Sequence, residues 1–205
     1  MTAIESVTLE VPEPAAAEAF YSAAFDLGDK VRVRASQSPT TGFRGFTLSL
    51  VVSQPGTVDS LISTALTAGA AVLKPAKKQF WGGYSGVVRA PDGTIWKVAT
   101  SAKKDAGPAT REIDGIVLIL GVANMASSKH FYVAHGLTVA KSFGSKYAEF
   151  EAKADAIKLS LYKRSGLAKD AGVTPDGTGS HRLAIGSDAG PFTDPDGFTW
   201  ETASA

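Results

Sequence analysis

The 205-residue chain contains no cysteine. Disulfides, thiolate metal ligands and a cysteine nucleophile are excluded together. Neither sign of charge dominates: 21 basic and 20 acidic residues leave a net charge of +1, without the basic excess of a nucleic-acid binder. The longest apolar run, Ile116 to Leu120, falls far short of the roughly 20 residues a membrane span needs. The opening Met1-Thr2-Ala3-Ile4-Glu5 has neither the positive nor the apolar region of an export signal, so the cytoplasm is the expected location, with no nucleic-acid or membrane partner. No Gly-x-Ser-x-Gly nucleophile elbow occurs. Gly177-Thr-Gly179-Ser-His-Arg182 lacks the third glycine of a dinucleotide fingerprint, and Asp194-Pro195-Asp196-Gly197 lacks the downstream glutamate of a calcium loop. With 44% apolar and 20% charged residues, the composition is that of an ordinary globular protein.

What the chain does contain is a repeat. Val7-x-Leu9-x-Val11 is followed after nine residues by Phe20-Tyr21, and Leu118-x-Leu120-x-Val122 after nine by Phe131-Tyr132, an offset of 111. Pro91-Asp92-Gly93-Thr94-Ile95-Trp96 returns as Pro195-Asp196-Gly197-Phe198-Thr199-Trp200 at an offset of 104. This predicts two homologous modules, residues 1–100 and a shorter 113–205. They are joined by 101–112, a stretch without periodicity that contains Gly-Pro.

Alternation predicts a strand over 4–11. Ala17, Phe20, Tyr21 and Ala24 mark one face of a helix opened by Pro12-Glu13-Pro14 and closed by Gly28. In the second copy Asn124 is the predicted N-cap, followed by Met125, Ser128, Phe131 and Tyr132, with Gly136 at the C-terminal end. Further strands are predicted near 29–35, 44–53, 71–75 and 83–100, and near 114–122, 137–142, 147–152, 156–163, 181–186 and 198–202. A helix is predicted at 57–68, and 164–180 reads as a loose segment. Only nine residues, Gly186 to Asp194, stand where the first half uses 38, so the second half has no room for the matching helix. The expected fold class is α+β: two paired βαβββ modules whose curved mixed sheets form a cup.

The alternating first strand, the Phe-Tyr helix and the closing Asp-Pro-Asp-Gly hairpin resemble the vicinal oxygen chelate superfamily, which includes glyoxalase I, extradiol dioxygenases and bleomycin-resistance proteins. Trp81-Gly82-Gly83-Tyr84-Ser85-Gly86 leading to Pro91-Asp92-Gly93 looks like the last strands of many glyoxalase-like proteins. The Pro-Asp-Gly signature is itself a hairpin device. The resemblance implies a divalent ion in the cup, with ligands on the first and last strand of each module. Those positions here are Ser6, Lys97, Val117 and Glu201, of which only Glu201 suits zinc, iron or manganese. His181, before Arg182-Leu183-Ala184-Ile185, approximates another histidine of dioxygenase-like members, one residue out of register. His130 and His135 read as structural.

No cofactor is expected, with a divalent metal kept as the alternative. Lys97 and Glu201, at equivalent positions, are expected to pair across the cup, the ammonium standing in for the ion. Trp81 and Tyr84, among glycines, and Phe192 at the rim are the expected ligand-facing aromatics, with Lys97 and His181 beside them. The expected function is binding of a small organic molecule in the cup, by a monomer or homodimer. The alternative is a metal-dependent or metal-free lyase, isomerase or dioxygenase-like enzyme using Glu201 as base.

Overall fold

The computed structural model describes residues 2–80 and 82–203. The first alternating stretch forms β1 (Ile4–Val11), with Val7, Leu9 and Val11 buried. Helix α1 (Pro14–Ala24) buries Ala17, Phe20, Tyr21 and Ala24, the stripe its spacing dictates. The first half continues through β2 (Val31–Ala35), β3 (Thr40–Gly42), β4 (Phe46–Val51), α2 (Pro55–Thr67), β5 (Ala71–Lys78), β6 (Tyr84–Arg89) and β7 (Ile95–Thr100). The second half begins with β8 (Gly115–Val122) and α3 (Met125–Ala134), whose N-cap Asn124 accepts a hydrogen bond from the Ser127 amide. It continues through β9 (Val139–Phe143), β10 (Tyr147–Phe150), β11 (Lys158–Lys163), α4 (Arg164–Ala171), β12 (Gly177–Gly179), β13 (Leu183–Ser187), β14 (Phe192–Thr193) and β15 (Thr199–Thr202). The two halves are joined by 101–114, which forms neither helix nor strand. Its path is fixed by buried Gln54, whose carboxamide accepts from the Ala106 amide at 2.8 Å and donates to the Pro108 carbonyl at 2.8 Å.

The strands form an eight-stranded sheet, order β5-β6-β7-β4-β8-β11-β10-β9, a five-stranded sheet, order β14-β15-β13-β1-β2, and the small pair β12-β3. The two complete βαβββ units are β4-α2-β5-β6-β7 and β8-α3-β9-β10-β11, joined edge to edge where β4 meets β8 antiparallel. The partial units β1-α1-β2 and β13-β14-β15 join in the same way, β1 against β13. Each half thus gives one complete and one partial unit, and each sheet draws on both halves. In the second half β13 runs to β14 through residues 188–191 without a helix, as its short spacing requires.

One continuous core fills the space between the sheets, with Leu9, Phe20, Leu48, Leu61, Trp96, Leu118, Tyr132, Phe150 and Trp200 among its members. The repeated landmarks meet inside it. The Tyr21 hydroxyl donates to Asp92 at 2.8 Å and its ring lies 5.5 Å from Trp96. In the second copy the Tyr132 hydroxyl donates to Asp194, with Trp200 at 5.4 Å. The Phe-Tyr helix and the Pro-Asp-Gly hairpin recur together because one closes onto the other.

The segment 164–180 departs from its expected looseness: it contains α4 and β12. Helix α4 is eight residues long, with Gly166 near its start and only Leu167, Ala168 and Ala171 buried. That apolar pattern is too short to establish a period.

Candidate functional site

Strand alternation turns Phe46, Leu48 and Leu50 of β4 into the core, leaving Thr47 and Ser49 on the opposite, concave face of the eight-stranded sheet. Pairing register aligns a row across that face: Lys97 opposite Ser49, Ser49 opposite Val117, and Val117 opposite Lys158. The five-stranded sheet has the equivalent row: Glu201 opposite Gly186, and Gly186 opposite Ser6. The four positions implied by the resemblance therefore divide, Lys97 and Val117 in one concavity and Ser6 and Glu201 in the other. Their division follows from strand pairing, which joins the first strand of each half to a strand of the other half.

The expected Lys97–Glu201 pair is not formed. Lys97 Nζ lies 2.8 and 3.1 Å from the two carboxylate oxygens of Asp170 on α4. Glu201 instead meets Arg34 at 3.0 and 3.2 Å, and Arg34 also reaches Glu10 at 2.6 Å. The hydrogen bond to Glu201, followed by that to Glu10, raises the Arg34 pKa above its ordinary value.

Helix α4 lies on the concave face of the eight-stranded sheet. Its Leu167, Ala168 and Ala171 join Phe43, Val87 and Ile95 in a second apolar cluster, flanked by Ile119 and Tyr162. Gly121 of β8 permits this approach: a Cβ there would stand 2.9 Å from the Gly45 carbonyl oxygen and 3.2 Å from Arg164 Cα. The Arg164 guanidinium donates to the Phe43 carbonyl at 2.6 Å and to the Pro175 carbonyl at 3.1 Å. The plug is thus held by apolar packing, by Arg164 and by the Lys97–Asp170 pair.

Beyond the plug, β9, β10 and β11 carry an aromatic and polar wall. Tyr147 faces Phe143 on one neighbour and Tyr162 on the other, with ring centroids 6.1 and 5.9 Å away. Its hydroxyl donates to Glu149 at 2.9 Å and lies 3.1 Å from Ser160 Oγ. Lys158 reaches the other Glu149 oxygen at 3.4 Å. Burial is the main cause that pushes the Tyr147 pKa up to about 12. Phe143, Glu149, Lys158 and Asp170 were not among the residues expected from sequence. The alternation of Phe143, Tyr147 and Tyr162 across three adjacent strands becomes a signal only once their register is known.

The remaining sequence candidates lie elsewhere. Tyr84 turns toward α2, its hydroxyl donating to Asp59 at 3.0 Å. Phe192 is in β14, stacked on Trp200 at 5.0 Å and 19° and 5.5 Å from Phe131. His181 stacks on Phe198 at 3.9 Å. Its Nδ1 lies 2.5 Å from the Arg44 carbonyl oxygen and its Nε2 3.0 Å from that of Asp196, so both ring nitrogens face backbone acceptors. Trp81 lies outside the described residues.

These residues do not fit a divalent ion. In the eight-stranded concavity the row reads Lys97, Ser49, Val117 and Lys158, two cations and a hydrocarbon where the ion would need oxygen or nitrogen donors. In the other concavity Glu201 is paired with Arg34. Among the described residues no three His, Asp or Glu side chains gather as a metal-holding group. No chemistry is therefore derived through a metal.

Comparison with known proteins bears on the fold. A scan against protein-family models finds no match, and a search of curated proteins finds none either. Among solved structures, glyoxalase I from Zea mays superposes with a TM-score of 0.62 at 14% sequence identity, covering 98% of this chain and 91% of that one. A point mutant of the maize enzyme gives a TM-score of 0.61 at 15% identity, with the same coverages. The strand order, the edge-to-edge pairing of βαβββ units and this likeness over nearly the whole chain establish that the protein has the paired βαβββ fold seen in glyoxalase I.

Proposed function

We propose that this protein binds a small organic molecule in the concavity of the eight-stranded sheet, without a catalytic divalent metal. The observation that carries the reading is the Lys97–Asp170 pair: a fixed ammonium occupies the row where the resemblance implies a metal ligand. Around it the concavity presents Ser49, the Lys158 ammonium and the Tyr147 phenol, the last two both set on the Glu149 carboxylate. The ammonium groups of Lys97 and Lys158 favour a ligand bearing carboxylate or carbonyl oxygens. Phe143, whose surface is 64% exposed, and Tyr147 beside it suit a planar ring. Asp170 occupies Lys97 in the unliganded protein and is replaced by the ligand's oxygen. A catalytic role for Glu201 gains no support from its setting, since its carboxylate is tied to Arg34 on the other sheet.

Thermal shift and calorimetry with simple aromatic carboxylates and keto-aldehydes, set against zinc, nickel and manganese, test this reading. An aromatic acid is expected to raise the apparent Tm, and Lys97→Met is expected to remove that shift. Stoichiometric metal in the purified protein, or binding indifferent to Lys97→Met, overturns it.

A further inference from the structure

A second cleft, of about 560 Å³, opens where the β3 strand, the turn before β7 and the residues following α4 come together. Its wall includes Arg44, Arg89, Thr40, Thr94 and Thr174, and no acidic side chain among the described residues. Neither arginine takes part in an ion pair among the described residues.

Two features single out this cleft. Thr40 Oγ1 and Arg44 Nη1 are buried and have no hydrogen-bond partner, and both residues belong to its wall. A buried polar group left without a partner costs on the order of a bond's worth of free energy. Arg44 is also a cation without a salt bridge. One nitrogen of its guanidinium donates to the Asp92 backbone carbonyl. The Asp92 carboxylate itself is already engaged, by the Tyr21 hydroxyl at 2.8 Å, the Thr94 amide at 2.8 Å and the Thr94 hydroxyl at 3.1 Å. Burial, and more weakly the neighbouring Arg182, lower the Arg44 pKa from its ordinary value, against the opposing pull of Asp92. The guanidinium's place is built into the turn. A Cβ on Gly93 would stand 2.8 Å from Arg44 Nη2, and the Gly93 φ of +90° is one that side chains rarely adopt.

We propose that this cleft is a binding site for a phosphate group, held by Arg44 Nη1, the Arg89 guanidinium fork and the Thr40 hydroxyl. A dianionic tetrahedral group supplies enough oxygen acceptors for Arg44 Nη1, the Arg89 fork and a hydroxyl at once, and it brings into contact with Arg44 the anionic partner that no ion pair supplies. The site is separate from the Lys97 concavity, sharing neither its cation nor its aromatic wall.

Calorimetric titration of the intact protein with inorganic phosphate, at ionic strength held constant with sodium chloride, tests the assignment. Saturable one-to-one binding is expected, weakened at least tenfold by Arg89→Gln. Arg89 is exposed, so this change leaves the fold intact. Thr40→Val, which removes a hydroxyl that bonds nothing in the unliganded protein, is expected to weaken binding severalfold while leaving the thermal midpoint without phosphate unchanged. A parallel titration with glycerol phosphate distinguishes the source. Tighter binding than inorganic phosphate identifies an organic phosphate, and weaker binding identifies the free ion. No saturable phosphate binding, or equal binding by Arg89→Gln, overturns the proposal. Because Lys97→Met is expected to leave phosphate binding unchanged, failure here is distinguishable from failure of the small-molecule reading.

Discussion

The two concave faces share one register and differ in what covers them. Lys97, Ser49 and Val117 align on the eight-stranded sheet as Glu201, Gly186 and Ser6 align on the five-stranded one, each residue the repeat partner of its counterpart. On the larger sheet an inserted helix, α4, brings an apolar face of Leu167, Ala168 and Ala171. On the smaller sheet the covering is the Glu10–Arg34–Glu201 network over small residues such as buried Ala184. Strand pairing fixes where side chains point, and what lies over the opposite face, a helix here or an ion-pair network there, decides whether a concavity is packed or roofed by charge.

The sharpest way to break the comparison is to remove the plug. Leu167 is 1% exposed, and replacing a buried leucine by alanine typically costs about 2–5 kcal/mol. Leu167→Ala is expected to lower stability in urea denaturation by about 3 kcal/mol and to open the 164–172 segment to limited proteolysis. Loss of stability without new cleavage there would mean that α4 contributes to the global core rather than acting as a separable cover.

A second contrast concerns the closing turns of the two sheets. Asp194, 5% exposed, accepts from the amides of Asp196 at 2.9 Å and Phe198 at 2.8 Å, and from Tyr132. Burial nevertheless raises its pKa above the ordinary 3.8. A raised pKa means that the folded state holds this proton more tightly than the unfolded chain. Its stabilising contribution is therefore complete below the ordinary value and is lost as pH rises through the raised one. Relative to Asp194→Asn, the native protein should lose stability across that acid window, by about 1.4 kcal/mol for each unit separating the two values, and hold a constant difference above it. Urea midpoints at stepped pH measure this, and parallel curves for the two proteins would remove burial as the dominant influence on Asp194.

Much of this architecture is legible in the sequence because duplicated landmarks constrain it twice. Phe20-Tyr21 with Trp96, and Phe131-Tyr132 with Trp200, located both closing turns, and the shortened stretch after Ile185 foretold the missing helix. The pairing of units was not legible. Whether Lys97 and Glu201 share a concavity depends on which strand edges meet, here β4 with β8 and β1 with β13. Strand edges are specified by packing across the whole core rather than by local pattern. Helix α4 was hidden for a related reason, since its three buried side chains gain their meaning only from the sheet beneath them. His181 shows the limit at a single residue: its sequence context suggests a ligand, while its ring is held by two backbone carbonyls.

The smallest expected effects lie in the ion pairs, and their ranking is informative. The Lys97 side chain is 20% exposed and its partner Asp170 40%, so the pair is partly screened and worth about 1 kcal/mol. Glu201 and Arg34 are 41% and 45% exposed, and Glu201→Gln is expected to cost no more than about 0.5 kcal/mol because Glu10 continues to hold Arg34. A double-mutant cycle on Lys97 and Asp170, beside one on Arg34 and Glu201, measures both in urea denaturation. The first coupling should exceed the second, and high salt should widen the ratio between them, because the more exposed Arg34–Glu201 pair is screened proportionally more. If the Arg34–Glu201 coupling is the larger, the five-stranded sheet relies on its charged roof more than the eight-stranded sheet relies on its latch.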